Sequence, residues 1–216
     1  MTMTSELRTE STDTAPANVG WLIAGVVGVV GLAAMLTGGA GFSVTDKLPV
    51  PTMIQKLDDA KGGLQIGGGL QALVSMGLVL FGAHVRRLLL RREPDGALTP
   101  AIAWGGALLA AAMTGVAAAM TQLSAGFTDA VDPGVPLTIH ALEENMFAGA
   151  WCAIALVAGA VAVSGLRRGA VPRWFAGVSA FVAVLLVVAQ LAVPWIGWFP
   201  ALVWIIVSAF ALREHS

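Results

Sequence analysis

Charged residues are scarce in this sequence, and their scarcity excludes a soluble globular domain. Only 12% of the 216 residues are Asp, Glu, Lys or Arg, whereas a soluble domain carries about 25%. Hydrophobic residues make up 57% of the chain, and its mean hydropathy is +0.81. This composition predicts an all-α, polytopic membrane protein embedded in a lipid bilayer. The formal net charge of -1 gives no reason to expect a nucleic-acid partner.

Cysteine is nearly absent. Cys152 is the only one, and it lies within an apolar run. A single cysteine excludes an intrachain disulfide and a cysteine-rich metal site, so packing between helices is its expected role. The sequence also lacks a Ser, His and Asp combination, a rhodopsin-like lysine in a late helix, and paired histidines for haem. We therefore expect no cofactor, and an enzyme is less expected than a binding or transport protein.

Six apolar segments reach or approach the roughly 20 residues that a transmembrane helix needs. Residues 1–19 are rich in Thr, Ser and Glu and predict a disordered tail. Their acidic residues do not suit a secretory signal peptide, although cleavage within 33–41 is a minor alternative. Residues 20–212 then form one transmembrane domain, and residues 213–216 form a second tail. The predicted helices are residues 20–41, 63–85, 101–123, 142–166, 173–193 and 196–212.

Most basic residues lie in segments that six crossings would place on one side of the membrane. The positive-inside rule therefore predicts a six-helix bundle in a bacterial inner membrane, with both termini in the cytoplasm. A five-span alternative, with 194–212 lying in the interface, fits less well because residues 201–212 have no polar face. The basic residues on the predicted inner side are Arg8, Arg86, Arg87, Arg91, Arg92, Arg167, Arg168, Arg173 and Arg213.

Two segments between the predicted helices have a character of their own. In the outer loop, residues 42–62, Pro51 can open a short amphipathic helix that lies on the outer surface or covers the bundle. The inner turn carries a group of arginines that would attract anionic lipid headgroups, although a simple topology anchor is the alternative. These arginines are Arg86, Arg87, Arg91 and Arg92.

Polar residues inside the predicted spans lie almost entirely toward the outer side. This one-sided distribution predicts an outward-open polar, acidic pocket rather than scattered hydrogen bonds between helices. The negative field of such a pocket would favour a cation or a basic amphiphile over an anion. The predicted pocket residues are Gln65, Gln71, Gln122, His140, Glu143, Glu144 and Gln190.

His140 lies three residues before Glu143 and four before Glu144, so on a helix its imidazole can reach either carboxylate. A partly desolvated glutamate could exchange a proton near neutral pH. Alternatively, His140, Glu143 and Glu144 are weak candidates for a divalent-metal site. The simplest alternative is a solvated helix start, in which Thr138 is the N-cap and the acids complement the helix dipole.

Residues 167–174, with the sequence Arg-Arg-Gly-Ala-Val-Pro-Arg-Trp, join a helix that begins with acids to one that is nearly pure Ala, Val and Leu. This turn resembles that of uncharacterised six-span bacterial membrane proteins of unknown function. The resemblance covers roughly residues 20–212. It implies six helices, and it implies no activity and no site residues.

Three functions stay open on the sequence alone. The leading hypothesis is a membrane protein, such as a transporter, whose outer pocket binds or passes a cation or a small amphiphile. The second is a non-catalytic subunit whose Gly and Ala faces contact another membrane protein or a second copy of the chain. The third is a metal-dependent membrane hydrolase.

Overall fold

The computed structural model describes residues 19–39, 41–43, 46–127, 132, 134–192 and 194–213, without the side chains of residues 194, 195, 212 and 213. Within these residues all regular secondary structure is helical, and no strand is present. The two predicted tails lie almost wholly outside the described residues. The helices are α1 (Gly20–Thr37), α2 (Val50–Asp59), α3 (Lys61–Leu90), α4 (Thr99–Gly126), α5 (Gly134–Arg168), α6 (Arg173–Ala192) and α7 (Trp198–Arg213), with a 3-10 turn at Pro194–Gly197 before α7.

Five of these helices, α1, α3, α4, α5 and α6, are long and apolar enough to cross a membrane. They support a membrane-spanning protein. The last helix, α7, is apolar but has only 16 residues. Three of the long helices, α3, α4 and α5, extend past the predicted apolar segments at both ends, because a helix can continue beyond the hydrocarbon into the polar interface.

The six helices other than α2 form a closed ring. Each helix packs against the next in the order α1, α3, α4, α5, α6 and α7, and α7 returns to α1. Aromatic side chains lie inside this ring of helices. Trp204 of α7 stacks on Phe175 of α6 with the ring centroids 6.1 Å apart, and it meets Phe81 of α3 edge to face with the centroids 5.9 Å apart. The indole N–H of Trp204 donates a 2.9 Å hydrogen bond to the buried Oγ of Ser179, so its polar atom is satisfied away from water.

Glycines allow α1 to lie very close to both of its neighbours. A Cβ added at Gly31 would collide with the side chain of Leu202 in α7, and one added at Gly67 of α3 would collide with the backbone of Gly38. In lipid, where there is no hydrophobic force between helices, such close contact is a main source of helix association. Gly31, Gly38 and Gly67 therefore allow α1 and the residue after it to pack closely on α7 and α3.

The two ends of the ring differ in charge. We call the end that α2 covers the α2 end, and the opposite end the arginine end. At the α2 end, Met53 and Leu57 of α2 pack on Leu64, Ala125 and Leu137, which fixes α2 across α3, α4 and α5. The arginine end carries a group of exposed bases at the ends of α3, α5 and α6 and just after α3: Arg86, Arg87, Arg91, Arg92, Arg167, Arg168 and Arg173.

Candidate functional site

A cavity of about 550 Å³ opens inside the α2 end of the ring. It forms because α1 and α5 are not neighbours in the ring and do not pack against each other within the described residues. Its walls come from the end of α1, the segment that follows α1, the first half of α5 and the start of α7. The lining residues are Ala34, Met35, Gly38, Gly39, Gly41, Phe42, Ser43, Gln71, His140, Glu143, Glu144, Asn145, Phe147, Ala148 and Trp198.

The helix that carries the acids begins earlier than the sequence suggested. Helix α5 starts at Gly134, whose backbone N–H donates to Oδ1 of Asp132 at 2.8 Å. Thr138 is not the N-cap, since its Oγ1 donates to the Gly134 carbonyl from within the helix. Glu143 and Glu144 therefore lie about three turns into α5. The explanation of these acids as partners of the helix dipole is wrong, because that effect fades beyond the first turn.

His140 and Glu143 form a buried pair on the cavity wall. Nδ1 of His140 lies 3.0 Å from Oε2 of Glu143, and only 4% and 8% of the two residues' surfaces are exposed. Neither imidazole nitrogen makes a hydrogen bond of good geometry within the described residues. The ring of Phe42 contacts the His140 ring in a tilted arrangement, with the two centroids 5.2 Å apart. Buried polar atoms without such a bond are rare in proteins, and they mark positions where a ligand or water is expected to bind.

Glu144 faces a different partner from Glu143. The hydroxyl of Ser43 donates a 3.1 Å hydrogen bond to Oε2 of Glu144 and thereby links the segment after α1 to α5. Glu144 is half-buried, whereas the neighbouring Asn145 is exposed. The two carboxylates thus have separate environments, as expected for adjacent residues on a helix.

Gln71 provides polar surface from α3, on another side of the same cavity. It is buried, and its Oε1 accepts a 3.3 Å hydrogen bond from Oγ1 of Thr121 in α4. This contact holds the Gln71 amide beside the hydroxyl of Thr121, which also lies 2.9 Å from the Ala117 carbonyl. Large apolar side chains, Phe42, Phe147 and Trp198, complete the walls. The cavity therefore combines a few polar groups with an apolar surface, which is the usual composition of a small-molecule site.

The predicted pocket residues are only partly brought together. Gln71, His140, Glu143 and Glu144 line the cavity. Gln65 and Gln122 are exposed and do not line it. Gln190 lies beside a separate, apolar groove between α4, α5 and α6. Depth along a helix does not determine which face a side chain occupies, and these three glutamines face elsewhere.

Sequence reasoning did not identify the residues after α1 that complete the cavity. Phe42 and Ser43 contact His140 and Glu144, which lie about a hundred positions later in the chain. No periodicity marks them, because their contacts arise only when the ring of helices closes. Gly41, with φ of 69°, allows the turn that directs this segment toward α5.

The side chains of the described residues do not form a metal centre, since no group of three or more His, Cys, Asp or Glu is placed to hold an ion. His140 and Glu143 contact each other, and Glu144 is directed to Ser43. Comparisons with protein-family models, with curated proteins and with solved structures found no match to this chain.

Proposed function

We propose that the chain crosses the membrane six times, with both termini in the cytoplasm of a bacterial inner membrane. The 16 residues of α7 span about 24 Å at 1.5 Å per residue, and the preceding 3-10 turn adds to this length. The exposed arginines of the arginine end favour the cytoplasmic side under the positive-inside rule. In this orientation the α2 end, with the cavity, faces outward.

The function that the geometry supports best is the binding or passage of a cation or a small amphiphile in the outward-facing cavity. The observation that carries this proposal is the buried His140–Glu143 pair beside Glu144 on one cavity wall. With both carboxylates ionised, the three groups together are negative whether the imidazole is protonated or neutral. A negative cluster with partly apolar walls attracts cations and repels anions, and its field is stronger at low dielectric.

The two alternatives have less support from the contacts. The glycines that suggested a docking face, such as Gly31 and Gly67, are used for packing inside the chain itself. A metal-dependent hydrolase needs at least three ligands, and the described residues do not gather such a group. A cation or amphiphile site needs neither a glycine docking face nor three metal ligands.

A thermal-stability experiment in nanodiscs of zwitterionic lipid tests the proposal. The wild type and the double variant Glu143→Gln, Glu144→Gln are heated with Na⁺, K⁺, Ca²⁺ or octylammonium. A ligand that binds the folded state raises the melting temperature, so at least one cation should protect the wild type and not the double variant. Equal protection of both proteins by every cation would remove the carboxylates from the function. Proton flux in liposomes compares the same two proteins for passage.

We also propose that anionic lipid headgroups bind at the arginine end. Arg86, Arg87, Arg91 and Arg92 are exposed on the last turn of α3 and just after it. Each exposed base near an anionic leaflet contributes about 1 kcal/mol of attraction. The bases therefore act together as an electrostatic contact with the inner leaflet.

A further inference from the structure

The cavity is too large and too apolar for a bare metal ion. Its volume of about 550 Å³ lies within the usual range for sites that hold a small organic molecule. Metal ions such as Ca²⁺ need six or more oxygen ligands, whereas much of this wall is formed by Met35, Phe42, Phe147 and Trp198. An organic ligand with an apolar body can cover these side chains, and a hydrated ion cannot.

The charge of the ligand follows from the two glutamates. Glu143 already has a cationic or hydrogen-bonding neighbour in His140, at 3.0 Å. Glu144 has the neutral hydroxyl of Ser43 as its partner, so its charge is not neutralised within this contact. The ionised form of a carboxylate that is partly removed from water is strongly stabilised by a positively charged hydrogen-bond donor. An ammonium group supplies both the charge and the N–H donors.

The aromatic walls suit the same ligand. Phe42, Phe147 and Trp198 line the cavity together with Glu144. Aromatic faces attract cations, most strongly where water is excluded, and they also contact apolar chains. Nε2 of His140, which makes no hydrogen bond of good geometry within the described residues, leaves a further polar contact for a bound molecule in the same cavity.

We propose that the cavity selects a monovalent organic ammonium ion with an apolar body, with Glu144 as the group that binds the ammonium. This assignment rests on the proposed cation or amphiphile site and names the class of ligand within it. The ammonium lies at Glu144 near Ser43, and the apolar body extends toward Phe147 and Trp198. Inorganic cations, anions and neutral molecules of the same size are bound more weakly.

Equilibrium dialysis of radiolabelled octylamine against nanodiscs of zwitterionic lipid tests this assignment, with protein-free nanodiscs as the blank. Octanol and octanoate have the same chain length without the positive charge and serve as competitors. We expect saturable binding of octylammonium that octanol and octanoate displace at least about tenfold less well than unlabelled octylamine. Loss of a hydrogen bond to a charged group corresponds to about ten- to hundredfold in affinity, so Glu144→Gln should weaken binding by that factor.

The matched control is Glu93→Gln, which makes the same chemical change at the arginine end, where Glu93 lies 3.9 Å from Arg168. It should leave octylammonium binding unchanged. Equal binding by wild type and Glu144→Gln, or equal displacement by octanol and octylamine, would overturn the assignment. Because the competition uses wild-type protein, it decides the matter even if Glu144→Gln fails to fold.

The outcomes also separate this assignment from the proposed function. Suppose Na⁺, K⁺ or Ca²⁺ protects the wild type and not the Glu143→Gln, Glu144→Gln variant, while octylamine does not bind. The cation site then stands and the ammonium assignment falls. If no cation protects the wild type and octylamine does not bind, both fall.

Discussion

Replacement of Gly67 by alanine is expected to push α1 and α3 apart and to destabilise the ring. The added Cβ would meet the Cα and amide nitrogen of Gly38, which are backbone atoms and cannot rotate away. Overpacking of this kind costs about 1–3 kcal/mol. The stabilising preference of a helix interior for Ala over Gly, about 1 kcal/mol, opposes this cost.

Gly69 offers a matched control on the same helix. A Cβ at Gly69 meets no atom within 4 Å, so Gly69→Ala gains the helix preference without the collision. The preference then cancels in the comparison, and Gly67→Ala should be less stable than Gly69→Ala by about 1–3 kcal/mol. Because Gly38 also lines the cavity, Gly67→Ala should weaken octylammonium binding as well.

The measurement is reversible unfolding in mixed micelles with increasing SDS, followed by circular dichroism. Equal unfolding free energies for the Gly67→Ala and Gly69→Ala proteins would refute the close approach of α1 and α3. A loss in both variants would instead indicate that glycine at this part of α3 has a role other than close packing.

Two further predictions concern the ring interior and the arginine end. Ser179→Ala leaves the Trp204 indole N–H unpaired and should lower the free energy of unfolding by about 1 kcal/mol in the same SDS titration. In a Trp204→Phe background the same substitution should lower it by less. An equal loss in both backgrounds would contradict the hydrogen bond. Anionic nanodiscs should give the wild type extra thermal stability over zwitterionic ones, and the double variant Arg86→Gln, Arg87→Gln should lose about half of it, because two of the four bases remain. Lys56→Gln at the α2 end should retain all of it. Equal retention by both variants would argue against a lipid contact at these arginines.

The acidic site was only partly predictable from the sequence. The spacing of His140 and Glu143 predicts their contact, because residues three apart on a helix are neighbours, and the 3.0 Å distance confirms it. The start of α5 was not predictable from hydrophobicity, since residues 134–141 are mixed in character. A helix that starts eight residues early turns solvated terminal acids into acids well inside a helix.

Sequence alone determined that this chain is helical and membrane-spanning, because long apolar runs with few charges have no other stable arrangement in lipid. It also determined which residues are polar and roughly how deep they lie along each helix. Tertiary structure decided which of them meet: the closed ring brings Gln71, His140 and Glu144 to one cavity and leaves Gln190 outside it. The physical reason is that a helix fixes the spacing of its side chains, whereas the rotation of each helix and its neighbours depends on close packing, such as that of Gly67 on Gly38.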